Sequence, residues 1–217
     1  ALVTDTTSIG NLDWRELFTD PQLQALIEKG LENNTDLRTA HLRVQEAEAA
    51  LMTSRLAYLP ALNLTPQGTI SSFDGSKAAK SYQLAASASW EIDIFGRLTN
   101  AKRSAQAALE QTQSYKQAVR TQLIATIANS YYTLLLLDKQ LVISERTASL
   151  WKENVQAMQA LKKAGLANEA AVSQSEANSL SVEASLLTLR QQINEMENSL
   201  SNLLGEVPQR VERGNLD

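Results

Sequence analysis

RLTNAKRSAQAALEQTQSYKQAVRTQLIATIANSYYTLLLLDKQLVISERTASLWKENVQAMQALKKA, residues 97–164, runs from Gly96 to Gly165 without a glycine or a proline. Apolar or small residues recur along it at alternating steps of three and four: Leu98, Ala101, Ala105, Ala108, Thr112, Tyr115 and Val119. One extra step of four re-phases the series, which continues as Leu123, Ile127, Ser130, Leu134, Leu137, Leu141, Ser144, Ala148, Trp151, Val155 and Met158. A spacing near 3.5 held this long predicts one continuous coiled-coil helix. At about 1.5 Å per residue it is on the order of 100 Å long. An ordinary helix has about three turns, so a chain that builds such a rod has a distance to span.

Composition agrees with long helices packed through small side chains. The chain has 217 residues, enough for one or two domains, and only 5% of them are aromatic. The net charge of −4, with no basic stripe, argues against nucleic acid as a partner. The absence of cysteine removes disulfides, thiol catalysis and thiolate metal sites, and suits an oxidising compartment. No run of 18 or more apolar residues exists, so no transmembrane helix is expected. No leader peptide is visible at Ala1, which leaves open one already removed or a protein never exported.

Outward from the rod, the N-terminal side begins with a polar arm, Ala1 to Asn11. Asp20-Pro21 reads as an N-cap followed by proline in the first turn, starting a short helix to about Asn33. Gly30 within it costs roughly 1 kcal/mol against alanine. Asn34-Thr35-Asp36 offers a second cap, and the next helix runs from about Asp36 to Tyr58, before Pro60.

The period then changes to two. Tyr82, Leu84, Ala86, Ala88, Trp90 and Ile92 share one face, and Gln83, Ala85, Ser87, Ser89, Glu91 and Asp93 the other. A strand of this length matches one that spans a membrane. Tyr82 and Trp90 lie near the two ends of its apolar face, where aromatic girdles meet the lipid–water boundaries. Leu62 to Phe73 is a weaker partner strand, with Leu62, Leu64 and Ile70 on one face and Pro66 and Gly68 as interruptions. Asp74-Gly75-Ser76 and the lysines at 77 and 80 form a polar hairpin loop. The alternative is a small sheet packed on helices. Against it, two strands alone are marginal, and Ala85, Ala86 and Ala88 make a thin core.

Beyond the rod, Lys162 and Lys163 complement the helix dipole, and Gly165 is a natural C′ residue. A returning helix of about 37 residues, near 55 Å, follows from about Asn168 to Leu204. It covers about half the rod, and the Asp36–Tyr58 helix could lie end to end with it along the rest. The expected segments are an arm and short helix (1–34), a shorter helix (35–59), a β-hairpin (60–93), the long helix (94–164), a tip turn (165–168), the returning helix (169–205) and a tail (206–217). The fold class is mainly α, with long antiparallel coiled-coil helices and a two-stranded transmembrane β-hairpin.

These residues together resemble the outer-membrane efflux channels of the TolC/OprM type, the outer-membrane factors of tripartite pumps. The matching stretches are Trp14-Arg15-Glu16-Leu17-Phe18-Thr19-Asp20-Pro21 with Leu23, Asn34-Thr35-Asp36-Leu37, and Ala128-Asn129-Ser130-Tyr131-Tyr132. The tip Ala164-Gly165-Leu166-Ala167 and Leu203-Leu204-Gly205-Glu206-Val207-Pro208 also match. The most specific is SWEIDIFGR, Ser89 to Arg97, where strand turns into rod. The resemblance covers about Asp13 to Pro208.

The resemblance implies a trimer, with a twelve-stranded barrel in the outer membrane of a Gram-negative bacterium and an α-helical barrel through the periplasm. Each family protomer carries two tandem repeats, and this chain matches the first. Two strands per chain would need six chains to close twelve, so a truncated chain or a fragment is the expectation. The family's N-terminal lipidated cysteine is not found here. The implied partners are a periplasmic adaptor (membrane fusion protein), an inner-membrane pump and outer-membrane lipid, with no cofactor. The implied adaptor contact is the tip, Lys162, Lys163, Ala164, Gly165, Leu166 and Ala167. Gate residues belong to the second repeat.

Glu91 and Asp93, at the strand-to-helix corner with Phe95, Gly96 and Arg97, could form an acid–base or cation-binding pair. Facing a wet lumen and capping the following helix is the plainer role, Asp93 lying where that cap is needed. His41 has no neighbouring ligand in the sequence and reads as a surface histidine. No phosphate loop, HExxH or nucleophile triad is apparent, so no enzyme or metal site is expected. Ala101, Ala105, Ala108, Ala125 and Ala128 permit the close helix approach a tunnel wall needs, although an antiparallel coiled coil demands the same. The function expected is a passive exit duct. The rivals are a soluble helical scaffold of periplasmic-adaptor type, which lacks flanking lipoyl-like β-segments here, and a half-channel fragment with unpaired strand edges.

Overall fold

A computed structural model describes residues 14–71, 75, 77 and 79–214. The expected arm at 1–11, and Phe73, Asp74 and Ser76 of the hairpin, lie outside the described residues. The elements are α1 (Trp14–Leu17), α2 (Pro21–Asn33), α3 (Thr35–Leu56), β1 (Ala61–Ser71), β2 (Ala79–Ser89), α4 (Arg97–Lys163) and α5 (Glu169–Leu203). They divide into two compact units, residues 39–116 and the remainder.

The larger unit holds the core. Leu23 and Ile27 of α2, Leu123, Ile127, Tyr131 and Leu134 of α4, and Leu200 and Leu204 at the end of α5 are almost completely buried. Trp14 and Val211 close the cluster. Asp20 caps α2 through the Gln22 amide at 2.8 Å, with Pro21 in the first turn. Gly30, read from sequence as a cost, has a reason: a Cβ there would stand 2.4 Å from Ile127 Cδ1. The Asn34 side chain accepts from the Asp36 and Leu37 amides and donates to the Leu203 carbonyl, all at 3.0 Å, so one buried amide starts α3 and ties it to α5.

Within this unit α5 returns antiparallel along α4. Glu145–Arg190, Lys152–Glu183 and Gln159–Glu176 bridge the two helices at intervals of one heptad. Ser175 adds a hydrogen bond to Asn154 at 2.6 Å. The α4 residues from Leu123 to Met158 named from the sequence are all buried or half-buried.

The smaller unit pairs α3 with the first part of α4. Tyr58 donates to Thr99 and Lys116 meets His41, so the two helices again run antiparallel. Here the expected stripe needs correction. Ala101 and Ala108 are exposed, as is Ala125 further along, and Tyr115, though half exposed, lies under the guanidinium of Arg43 of α3, whereas Lys102, Leu109 and Lys116 are half-buried. The seam is Leu98, Lys102, Ala105, Leu109, Thr112 and Lys116. Lysine lays its aliphatic stem along a neighbouring helix and keeps its ammonium in water, so a polar letter can occupy a seam position. Exposed alanine carries no comparable signal.

Candidate functional site

β1 and β2 pair antiparallel over eleven residues each. The register places Leu62, Leu64, Pro66, Gly68 and Ile70 opposite Ala88, Ala86, Leu84, Tyr82 and Lys80 on one face. Asn63, Thr65, Gln67 and Thr69 lie opposite Ser87, Ala85, Gln83 and Ser81 on the other. One face is therefore apolar and the other polar or small. The predicted interruptions do not break β1: Pro66 is tolerated because both strands are edges of a two-stranded sheet. Gly68 lies against the Tyr82 ring, 3.5 Å from where a Cβ would stand. Every residue of both strands is exposed, Leu62 at 80% and Leu84 at 70%.

Two boundaries differ from the sequence expectation. β2 starts at Ala79, so Lys80 belongs to the strand opposite Ile70. It ends at Ser89, so Trp90, Glu91, Ile92 and Asp93 follow the ladder. The alternating sequence pattern runs past the last pair, but pairing defines the strand and these residues have no cross-strand partner. The Trp90 indole N–H donates to the Tyr58 carbonyl at 3.0 Å, and the ring is 66% exposed.

The corner is built to start α4. Gly96 immediately precedes the helix at φ +72, a conformation favourable only to residues such as glycine, and has no side chain with which to cap it. Asp93 supplies the missing acceptor. Its carboxylate takes the Leu98 and Thr99 amides at 2.9 Å and the Thr99 hydroxyl at 2.7 Å. The Thr99 hydroxyl, with the helix amides, holds the Asp93 carboxyl below its usual range. The Arg97 guanidinium makes a two-pronged pair with Glu91 and lowers that carboxyl as well. Glu91 and Asp93 thus turn to different partners. Phe95 makes no comparable contact and is 95% exposed.

The tip is a tight helix end. Gly165, at φ +76, donates to the Lys162 carbonyl and Leu166 to the Leu161 carbonyl, at 3.0 and 2.9 Å. This 5→2 and 6→1 pair is a Schellman ending. The apolar contact that usually closes it is weak here, since Leu161 is 41% and Leu166 76% exposed. A Cβ on Gly165 would meet nothing within 4 Å. Lys162 pairs with Glu169 across the turn, and Asn168 caps α5 through the Ala171 amide at 2.9 Å. Lys163 and Ala164 are exposed and Ala167 half-buried.

The sequence reading missed one polar cluster. Arg213, only 7% exposed, forks onto Asp138 of α4 and also pairs with Glu197 of α5. Beside it the Tyr131 hydroxyl donates to Asp20 at 2.5 Å and accepts the Gly214 amide at 3.2 Å. The available signal was Glu197, a carboxylate in register with the seam residues Ile193 and Leu200. Among the described residues no group of three His, Cys, Asp or Glu could hold a metal ion, and no helix is long and apolar enough to cross a membrane.

Residues 26–206 match the family model for the outer membrane efflux protein, and the chain belongs to that family. It is 30% identical over 206 residues to the cation efflux system protein CusC of Escherichia coli O157:H7, covering 94% of this chain and 45% of that protein. It is 27% identical over 207 residues to the probable outer membrane lipoprotein SilC of Salmonella typhimurium, covering 94% and 45%. Among solved structures, CusC superposes with a TM-score of 0.81 at 28% identity, over 95% of this chain and 49% of that one. The outer-membrane channel OprN does so with 0.81 at 26%, over 94% and 47%. The chain spans about half the length of the curated relatives it matches. Its fold is one half of theirs: mainly helical, with one antiparallel hairpin.

Proposed function

We propose that this chain forms one repeat of an outer-membrane efflux channel, a passive exit duct for small molecules across the periplasm and outer membrane of a Gram-negative bacterium. The observation that carries this reading is the hairpin. Its apolar face is exposed along its whole length while its other face is polar, the alternation of a strand between lipid and a water-filled lumen. The helices add to it. In the larger unit α4 exposes Leu136, Ile143 and Leu150, and α5 exposes Leu180 and Leu187, each at heptad spacing and outside the seam. A helix with a second apolar stripe has a second neighbour to pack against, as the wall of an α-helical tunnel requires.

The full protein works as a trimer with a periplasmic adaptor and an inner-membrane pump that supplies the energy. The tip residues Lys162 to Ala167 meet the adaptor, the exposed Leu166 offering apolar surface and Gly165 close backbone approach. Conductance of the full-length protein in planar bilayers tests the duct. Discrete channel openings are expected, and a protein that stays out of the bilayer overturns the reading. Gly165→Glu, beside Gly165→Asn as a control that keeps the backbone shape, tests the tip. Normal efflux by Gly165→Glu at wild-type trimer levels refutes adaptor contact there.

A further inference from the structure

Lys80 stands on the side of the hairpin where a charge is least expected. It is paired opposite Ile70, and directly opposed residues of an antiparallel ladder share a face. Its neighbours there are Ile70 and Tyr82, 68% and 78% exposed, followed by Leu84 and Leu64. The opposite face, with its serines, threonines and amides, holds no charge among its described residues. A lysine serving a water-filled lumen would occupy an odd-numbered position such as 79 or 81. At position 80 the cation belongs to the lipid side.

Depth decides whether a cation can stay there. On the lipid face of a barrel, lysine is strongly unfavourable at the bilayer midplane and close to neutral at the interface. Lys80 is nine residues from Ser89, the ladder end nearer α3 and α4. At about 3.3 Å per residue and a tilt near 45°, that is about 21 Å along the membrane normal. A band about 25 Å tall that starts at the inner end of the ladder therefore reaches its outer edge just above Lys80. The aliphatic stem can lie along the apolar face while the ammonium reaches the headgroups. Lys77, also exposed, stands beyond the end of the ladder on the same side of the membrane. From 61 to 89 the sequence sets these two lysines against one carboxylate, Asp74, and no acidic residue occurs among the described residues of the hairpin.

We propose that Lys80, assisted by Lys77, docks the phosphate of an anionic lipid in the outer leaflet and holds that lipid against Ile70 and Tyr82. This rests on the channel reading above. The occupant is lipid because the ammonium emerges from the apolar face, with the sheet between it and solutes in the lumen. It is an anionic lipid because this end of the hairpin is cationic, and cations near a membrane surface attract anionic headgroups.

Lipid-selective quenching tests it. Tyr82→Cys and Leu62→Cys are placed singly in a cysteine-less full-length background and labelled with a fluorophore. Each protein is reconstituted in phosphatidylcholine vesicles containing a small fraction of spin-labelled lipid, either phosphatidic acid or phosphatidylcholine. The label at 82 should report phosphatidic acid enriched about fivefold, and the label at 62, at the inner end of the same face, no enrichment. The enrichment should vanish in Lys77→Gln/Lys80→Gln and survive in Lys80→Arg, which keeps the charge. Equal quenching by the two lipids at 82 overturns the site while the hairpin reading stands, and Lys80 then simply extends to water. Enrichment that persists in the double glutamine variant, or that is lost in Lys80→Arg, overturns the role of the lysine charge. Enrichment abolished by inorganic phosphate at constant ionic strength makes the occupant a free ion and overturns the lipid assignment. No quenching by either lipid at 82 or 62 defeats both this site and the channel reading.

Discussion

Gly30 of α2 lies against Ile127 of α4 so closely that a Cβ on the glycine would stand 2.4 Å from Ile127 Cδ1, with Leu204 Cδ2 next at 3.5 Å. Ile127 is completely buried, so its terminal methyl has little room to move. Overpacking of this kind costs about 1–3 kcal/mol, and alanine's helix propensity offsets about 1 kcal/mol of that. Gly30→Ala should therefore lower stability by about 1 kcal/mol. Ile127→Val removes the very atom in conflict. The double variant should be more stable than the two single effects predict, by about 1 kcal/mol. Hydrogen exchange of α2 amides across the four proteins measures this, and simple additivity would reject the contact.

Among the described residues Arg213 is the cation that pairs with both Asp138 and Glu197, and both its side chain and that of Glu197 are nearly sealed from water. Arg213→Met leaves two carboxylates facing each other without their partner, a change that costs about 3 kcal/mol or more. Arg213→Lys keeps the charge but cannot fork onto Asp138, so it should fall between. Thermal unfolding should rank the three as wild type, lysine, methionine. A methionine variant as stable as wild type would show the cluster to be incidental.

Burial, followed by the bond to Asp20, pushes the Tyr131 hydroxyl up to about 12. The folded state thus favours the protonated phenol. Its contribution is complete below pH 10, the ordinary tyrosine value, and is lost as pH rises from there through about 12. Tyr131→Phe removes two hydrogen bonds and leaves the Gly214 amide and Asp20 without this partner, costing about 1–2 kcal/mol near neutrality. Alkaline titration of phenolate absorbance should show a late step that vanishes in Tyr131→Phe. A spectrum without that step refutes the assignment.

Asp93 carries the start of α4 because Gly96 cannot. Asp93→Ala should speed hydrogen exchange at the Leu98 and Thr99 amides while leaving the α4–α5 seam unchanged. Asp93 is held below its ordinary value of 3.8, so its contribution is present above that pH and is lost as pH falls further, through the folded-state value. The same amides should therefore lose protection on acidification in wild type but not in Asp93→Ala. Equal acid sensitivity in both proteins would place the effect elsewhere.

The sequence alone determined the architecture wherever a periodic pattern reported a local rule. The run free of glycine and proline sets one long helix. The 3.5-residue spacing from Leu123 to Met158 marks its buried seam, and the period-two alternation from Leu84 to Ala88 marks a hairpin with one apolar face. These are consequences of 3.6 and 2.0 residues per turn and need no partner to be read. Tertiary structure decided what depends on a neighbour's shape. That Lys102 is half-buried and Ala101 exposed turns on where the helix face is covered, not on the polarity of the letter. Where β2 ends is set by the last residue that finds a cross-strand pair, Ser89, which the alternating pattern does not mark. Gly30 reads as a defect until Ile127 is placed beside it, and Asp138, Glu197 and Arg213 are unrelated charges until the chain folds. Distance along the sequence carries no record of such contacts; packing does.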